Sequence, residues 1–435
     1  MMISVEEAQK RILASVHPIE RETVPLLLSS GRFLAEEIVS SLDYPPWDVS
    51  AMDGYAVQWS DTILGTPAEP SRLKVIEHIP AGTMPQKVVT SGTASKIMTG
   101  APMPSGADAI VVVEETTQDG EDVLIYGEAR RDFIRYRGEV VRKGDVVLKK
   151  GKMIRPYEIA MMASLGVSEV LIFRRPRVAI LSTGNELVDL HEPRDLHQIY
   201  NSNGYGLAAQ VEEACGVPIL LGIARDTRED LIDKLKGASD ADFIIISGGV
   251  SAGDYDFVKE IFGGNPTESA KGLLPLNTPL LLGAKALACP PATTWPVCSP
   301  PAQGFHKVAM KPGAPLAFGA IFGKPAFGLP GNPVSAMVTF DQFVRPALLY
   351  AQGCQSPFRT TVYAELIRNI KKKDRKRHYV RGRLSIKDGA YQVVPTESQD
   401  SANMLTLVQA NALIVLGEEE GDVQAGARVA VQMID

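Results

Sequence analysis

Apolar residues near the start of the chain fall at helical spacing. Ala8, Ile12, Leu13 and Val16 follow Ser4 and Glu7, which are placed for a capping box. Leu26–Ile38 predicts a second helix, and Tyr44-Pro45-Pro46 then breaks the pattern. From about Trp47 to Leu148 the apolar runs shorten, separated by Gly, Pro and Asp. Leu73–Ile76, Ala109–Val113, Val123–Ile125 and Val146–Leu148 predict a β-rich module. From Pro176 strand-like and helix-like stretches alternate. Arg177–Ser182, Val217–Ile223 and Phe243–Ser247 read as strands; Gly204–Cys215, Glu229–Lys236 and Tyr255–Phe262 read as helices. This order predicts a doubly wound α/β domain, a parallel sheet covered on both faces. After Val338–Tyr350 the alternation stops. Thr360–Ile370, Tyr379–Ile386, Tyr391–Val394, Leu413–Leu416 and Val429–Met433 predict a small C-terminal β-barrel. The expected class is multidomain α/β plus β.

Composition narrows the function classes more than the fold. A chain of 435 residues, 45% hydrophobic and 22% charged, reads as a soluble multidomain enzyme or binding protein. Its formal net charge of −6 offers no basic excess for nucleic acid. The charged start, Met1–Arg11, does not read as a secretory signal. Gly272–Ala284 carries Pro275 and Pro279 and is too short to span a membrane. Four cysteines fit a reducing, cytoplasmic setting. Gly263–Phe305 has eight prolines, three charged side chains and no periodicity, and reads as a flexible insertion. Cys289, Cys298 and His306 in and beside it match no standard metal spacing.

Three Gly-rich segments follow expected strands: Ser182-Thr183-Gly184-Asn185-Glu186-Leu187, Ser247-Gly248-Gly249-Val250-Ser251 running on to Asp256, and Gly328-Leu329-Pro330-Gly331-Asn332-Pro333. The last places Asn332 as an N-cap and Pro333 at the first helical position. Loops at the carboxyl edge of an α/β sheet offer backbone N–H groups to an anion, so a phosphate-type ligand is expected. Glu186, Asp226 and Asp256 each lie just past an expected strand, and converging carboxylates suit Mg²⁺. Asp226 and Asp254 could equally cap helices. Lys311 could contact an oxyanion or be a solvated lysine. The basic run Lys371–Arg377 reads as a solvated hairpin between strands.

The order of motifs is more specific. Ser50-Ala51-Met52-Asp53-Gly54-Tyr55-Ala56-Val57 resembles a signature of the MoeA-type molybdopterin molybdenumtransferases, the family that includes the gephyrin E domain. So does Ile97-Met98-Thr99-Gly100-Ala101-Pro102-Met103-Pro104 with Gly106-Ala107-Asp108, followed in order by the SxGGVSxG, MKPG and GLPGNPVSA loops. The resemblance runs from residue 3 to the C-terminus, apart from the Pro-rich segment. It implies Mg²⁺-dependent insertion of molybdate into adenylylated molybdopterin with release of AMP, the last step of molybdenum cofactor synthesis. It implies catalytic roles for Asp53, Thr99, Glu186, Asp226 and Asp256, with Glu186, Asp226 and Asp256 holding the metal. Ser251 and Lys311 match molybdate-contacting positions, and Arg381 and Ser401 match a site where molybdate enters. Ser182, Thr183, Gly184, Ser247, Gly248, Gly249, Pro312, Gly331, Asn332 and Pro333 complete the expected substrate site. A homodimer sharing its site between chains is implied, with no nucleic-acid or membrane partner. The expected division is a discontinuous linking domain at 1–45 and 146–175, a β-rich module at 46–145, an α/β molybdopterin-binding domain at 176–350 and a C-terminal barrel at 351–435.

Five positions depart from the family pattern. Val49, Phe133, Val140, Asn185 and Ala314 stand where the family has Asn, Asn, Asp, Asp and Lys. A non-catalytic molybdopterin-binding or scaffold paralogue is therefore the competing reading. An adenylyltransferase making the precursor is disfavoured, because it would need neither the Asp53 module nor the barrel.

Overall fold

The computed structural model describes residues 2–249, 304–305 and 307–434. The expected helix Tyr255–Phe262, Ser251, Asp254, Asp256, Cys289, Cys298 and His306, and the 263–305 segment except Gly304 and Phe305, lie outside the described residues. Phe305 is buried and pairs with Phe318, so the returning chain is anchored in the core.

The α/β unit contains β1 (Arg177–Thr183), α1 (Ser202–Glu213), β2 (Val217–Ala224), α2 (Arg228–Leu235), β3 (Phe243–Ser247), β4 (Ala317–Ile321), β5 (Lys324–Leu329) and α3 (Pro333–Thr339). The sheet order is β2-β1-β3-β5-β4, parallel except for β4 against β5. Alternate residues of β1 and β3 enter two cores. Val178, Ile180, Phe243 and Ile245 pack on α1 through Leu207 and Val211. Ala179, Leu181, Ile244 and Ile246 pack on α2 through Leu231 and Leu235. This two-sided burial explains why the strands read as continuous apolar runs.

The N-terminal helix Val5–Ala14 packs into the first of these cores through Val5, Ala8 and Ile12. Its expected capping box is half formed. Ser4 Oγ accepts from Glu7 N, while the Glu7 carboxylate accepts from Arg11 one turn on.

The expected helix Leu26–Ile38 does not form. Leu26–Ser29 is a single 3₁₀ turn, and Gly31 adopts φ +73°. Gly31, Leu34 and Ala35 donate their N–H groups to Ile154, Lys152 and Leu171. Tertiary pairing thus takes the hydrogen bonds a helix would have used. Chain on either side of the β-rich stretch pairs with itself: Arg21–Pro25 with Glu169–Phe173, and Ile38–Val39 with Val146–Leu148.

Between these lies a six-stranded sheet, ordered Ala109–Val112, Gly54–Val57, Thr93–Ile97, Ser71–Ile79, Asp122–Ile125 and Thr116–Asp119. At the other end, β6 (Thr361–Leu366), β7 (Arg377–Lys387), β8 (Ala390–Pro395), β9 (Ala412–Leu416) and β10 (Arg428–Met433) run β7-β8-β6-β10-β9. Pairing of β7 with β9 closes this barrel around Leu366, Val393, Ile414 and Val431. The barrel meets the α/β unit where Met310–Lys311 pairs in parallel with Arg377–His378.

The basic run before β7 is more than a solvated hairpin. Lys371, Lys373 and Arg375 are exposed, but Lys372 is 4% exposed. Its ammonium donates to the carbonyls of Asp374, Glu418 and Glu420 at 2.7–3.1 Å. Three carbonyl dipoles around one cation replace the water it loses. Among the described residues no helix is long and apolar enough to cross a membrane.

Candidate functional site

The carboxyl ends of three neighbouring parallel strands are in register. Ser182 of β1 stands opposite Ser247 of β3, and Ser247 opposite Leu329 of β5. The loops that follow therefore open on one edge, around a cavity of about 720 Å³. Ser182, Thr183, Gly184, Glu186, Asp226, Ser247, Gly248, Gly249, Gly331, Asn332 and Pro333 all line it. Among the described residues of the three expected loops, most are thus gathered at one place.

Backbone geometry explains the glycines. Gly248 has φ +98°, and a Cβ there would lie 2.7 Å from the Thr183 carbonyl. The β1 and β3 loops touch only because that atom is missing. Gly184 has φ +150°, and the Glu186 carboxylate folds over it, 2.6 Å from where a Cβ would stand.

Asp226 is not the cap of α2. Thr227 fills that position, its side chain accepting from Asp230 N. Asp226 instead exchanges bonds with Asn185: Asn185 N donates to Asp226 Oδ2, and Asp226 N donates to Asn185 Oδ1, both at 3.3 Å. Asn332 occupies the N-cap position of α3, with Pro333 at its first turn, but its side chain makes no capping bond. Its Nδ2 donates to Ser401 Oγ at 3.0 Å. Among the described residues no three acidic, histidine or cysteine side chains converge as a metal centre. Glu186 and Asp226 share the cavity wall, and their expected third partner, Asp256, lies outside the described residues.

Other expected residues stand apart. Asp53 and Thr99 are exposed in turns beside strands of the β-rich sheet, where Thr99 N and Oγ1 both donate to Asp53 Oδ1. Those two bonds hold the Asp53 carboxyl below the usual carboxylate range. Neither residue lines the cavity of a single chain. Lys311 is exposed and Pro312 buried at the turn after Met310–Lys311.

Arg381 is 2% exposed, with Nε donating to Thr406 Oγ1 and Nη2 to the Asp400 carbonyl. Burial pushes its pKa down to about 10, opposed by the Asp400 charge, so it remains a cation at neutral pH. It supports the loop in which Ser401 accepts from Asn332 and from Val334 N, and Ala402 reaches the cavity wall.

Sequence reasoning missed Asn201 and Asn203, which also line the cavity. Ser182 Oγ donates to Asn201 Oδ1 at 2.7 Å, and Asn203 Nδ2 donates to Ser247 Oγ at 2.9 Å and to the Gly331 carbonyl at 2.8 Å. Their signal was present: an Asn-Ser-Asn triplet opening a helix beside a glycine-rich sheet edge.

Comparison with known proteins agrees with this architecture. Residues 3–166 match the family model "MoeA N-terminal region (domain I and II)", residues 179–273 and 297–350 match "Probable molybdopterin binding domain", and residues 363–434 match "MoeA C-terminal region (domain IV)". The chain is 36% identical over 419 residues to the molybdopterin molybdenumtransferase of Nostoc sp., covering 95% of this chain and 88% of that one. It is 36% identical over 434 residues to molybdopterin molybdenumtransferase 2 of Mycobacterium tuberculosis, covering 99% of both. The crystal structure of the molybdopterin biosynthesis moeA protein from Pyrococcus horikoshii superposes with a TM-score of 0.79 at 28% identity, covering 100% of both chains. With three family models in order, relatives matched from end to end and the same fold, the chain belongs to the MoeA family of molybdopterin molybdenumtransferases.

Proposed function

We propose that this transferase acts on adenylylated molybdopterin and molybdate, with Mg²⁺, and releases AMP as molybdenum is inserted. The observation that carries the reading is the convergence of the β1, β3 and β5 loops on one cavity that also holds Glu186 and Asp226. Backbone N–H groups and hydroxyls there suit phosphate oxygens. The paired carboxylates are hard oxygen donors fitted to Mg²⁺, and the Glu186 carboxylate has a built cradle over Gly184. Glu186, Asp226 and Asp256 would hold the ion, which would neutralise charge on the phosphates. Lys311 and Ser251 are assigned to the oxyanion.

Asp53 and Thr99 are assigned to the same chemistry in a cytoplasmic homodimer, where the β-rich module of one chain completes the cavity of its partner. The division at 1–45 with 146–175, 46–145, 176–350 and 351–435 is proposed with it, supported by strand pairing across the β-rich stretch and closure of the barrel. AMP release from adenylylated molybdopterin, measured with and without molybdate and Mg²⁺, tests the reading. Release that requires both supports it. Bound pterin without turnover would favour the scaffold reading instead.

A further inference from the structure

We propose that Asn203 is a positioning residue that makes the Ser247 hydroxyl a hydrogen-bond donor to an anionic oxygen of the bound pterin ligand. The inference rests on the cavity being the molybdopterin site. Asn203 stands in the first turn of α1, and its amide nitrogen donates to the Gly331 carbonyl and to Ser247 Oγ. A carbonyl can only accept, so Gly331 fixes which end of the amide faces these loops. The second amide hydrogen then goes to Ser247, and the Ser247 proton must point elsewhere. Among the described residues no acceptor takes it, although Ser247 is 2% exposed and lines the cavity. The neighbouring Thr183 Oγ1 is likewise buried without a partner among the described residues. Buried hydroxyls in that state are satisfied when a ligand supplies the acceptor.

Ser182, in register with Ser247 on the adjacent strand, has the opposite polarity. It donates its proton to Asn201 Oδ1, whose orientation is set by a bond accepted from Gly204 N at 3.0 Å. Ser182 therefore presents only lone pairs. One helix start makes the sheet edge a donor over β3 and an acceptor over β1. A ligand carrying an anionic oxygen at one end and an N–H or O–H at the other fits only one way round.

The test uses full-length protein and the quenching of pterin fluorescence, with metal-free molybdopterin and its dephosphorylated form as probes. Asn203→Leu removes the amide donor without adding charge, and Asn203→Ser serves if leucine prevents folding. Loss of a hydrogen bond to a charged group corresponds to about a tenfold or greater drop in affinity for the phosphorylated probe. The dephosphorylated probe should change by less than about twofold. Ser247→Ala should reproduce the loss, and adding Asn203→Leu to it should change little more, because the asparagine acts through that hydroxyl. Equal losses for both probes, additive losses in the double variant, or unchanged affinity would each overturn the proposal. If wild type binds neither probe, the functional reading fails instead.

Discussion

Thr99 grips Asp53 twice: its backbone N–H reaches Asp53 Oδ1 at 2.7 Å and its hydroxyl reaches the same oxygen at 2.8 Å. Both donors stabilise the carboxylate, so the pair keeps an exposed acid ionised well into the acid range. The two residues come from separate Gly-rich turns, 46 positions apart.

Thr99→Ala should leave the backbone bond and remove the hydroxyl bond. The Asp53 pKa then rises towards its ordinary value. A reaction needing ionised Asp53 is lost as pH falls through that pKa, so the acid limb of the pH–activity profile should move to higher pH. Activity near pH 7 should fall less than activity near pH 4, close to the ordinary value to which Asp53 returns. Parallel losses at both pH values would show that the hydroxyl does something other than hold Asp53 ionised.

Removing carboxylates from the cavity wall should act on Mg²⁺ rather than on folding. Glu186→Gln and Asp226→Asn should each raise the half-saturating Mg²⁺ concentration by about tenfold, the scale of one lost charged contact. Asp256→Ala, at a position outside the described residues, should abolish Mg²⁺-dependent AMP release. Gly184→Ala should mimic Glu186→Gln without touching a charge, because its Cβ would displace the Glu186 carboxylate. Wild-type Mg²⁺ titrations for all four would remove the metal from this wall.

Ala314 stands three residues past Lys311, where the family pattern has a second lysine. The turn between them is tightly fixed: Gly313 has φ +99°, and a Cβ there would lie 2.2 Å from Thr339 Oγ1. Ala314 itself is half-buried, so a longer side chain has a way out. Ala314→Lys should lower the molybdate requirement about 10-fold or more, the scale of an added charge-assisted bond. Molybdate titrations at fixed ionic strength and fixed adenylylated molybdopterin decide it. Identical half-saturation would mean that position 314 does not face the oxyanion.

Glu158 should govern acid stability of the linking region. Its carboxyl is drawn down to about 2, first by the side-chain bonds from Arg155 at 2.7–3.3 Å. A carboxylate depressed in the folded state contributes stability above its unfolded pKa and loses it as pH falls through the folded one. The loss should therefore fall between about pH 4.5 and pH 2. Arg155 is 53% exposed, so screening keeps the pair below its full Coulombic value. Glu158→Gln should cost about 1–3 kcal/mol at pH 7 and flatten the pH dependence of melting in that window. An unchanged acid-unfolding curve would show that the pair is too screened to matter.

Much of the fold was legible because burial writes itself into local sequence. β1 and β3 are covered on both faces and so read as unbroken apolar runs; barrel strands such as Thr361–Leu366 and Arg428–Met433 bury alternate residues. The glycine loops were legible too, because only glycine fits where Gly248 meets Thr183. Sequence alone also fixed which residue types stand at the sheet edge, and the motif order that marks the family.

What tertiary structure decided involves partners far away along the chain. Leu26–Ile38 has helical periodicity, yet the N–H groups of Gly31, Leu34 and Ala35 are taken by carbonyls more than a hundred residues on. Lys372 lies in a charged run that looks solvated, yet carbonyls at 418 and 420 draw it inside. Asn203 meets Ser247 and Gly331 at separations of 44 and 128 residues. Periodicity reports only whether a side chain faces a core. Which hydrogen bond a backbone or polar group finally makes is settled when distant segments compete for it, and the winner is the pairing that leaves the fewest buried groups without a partner.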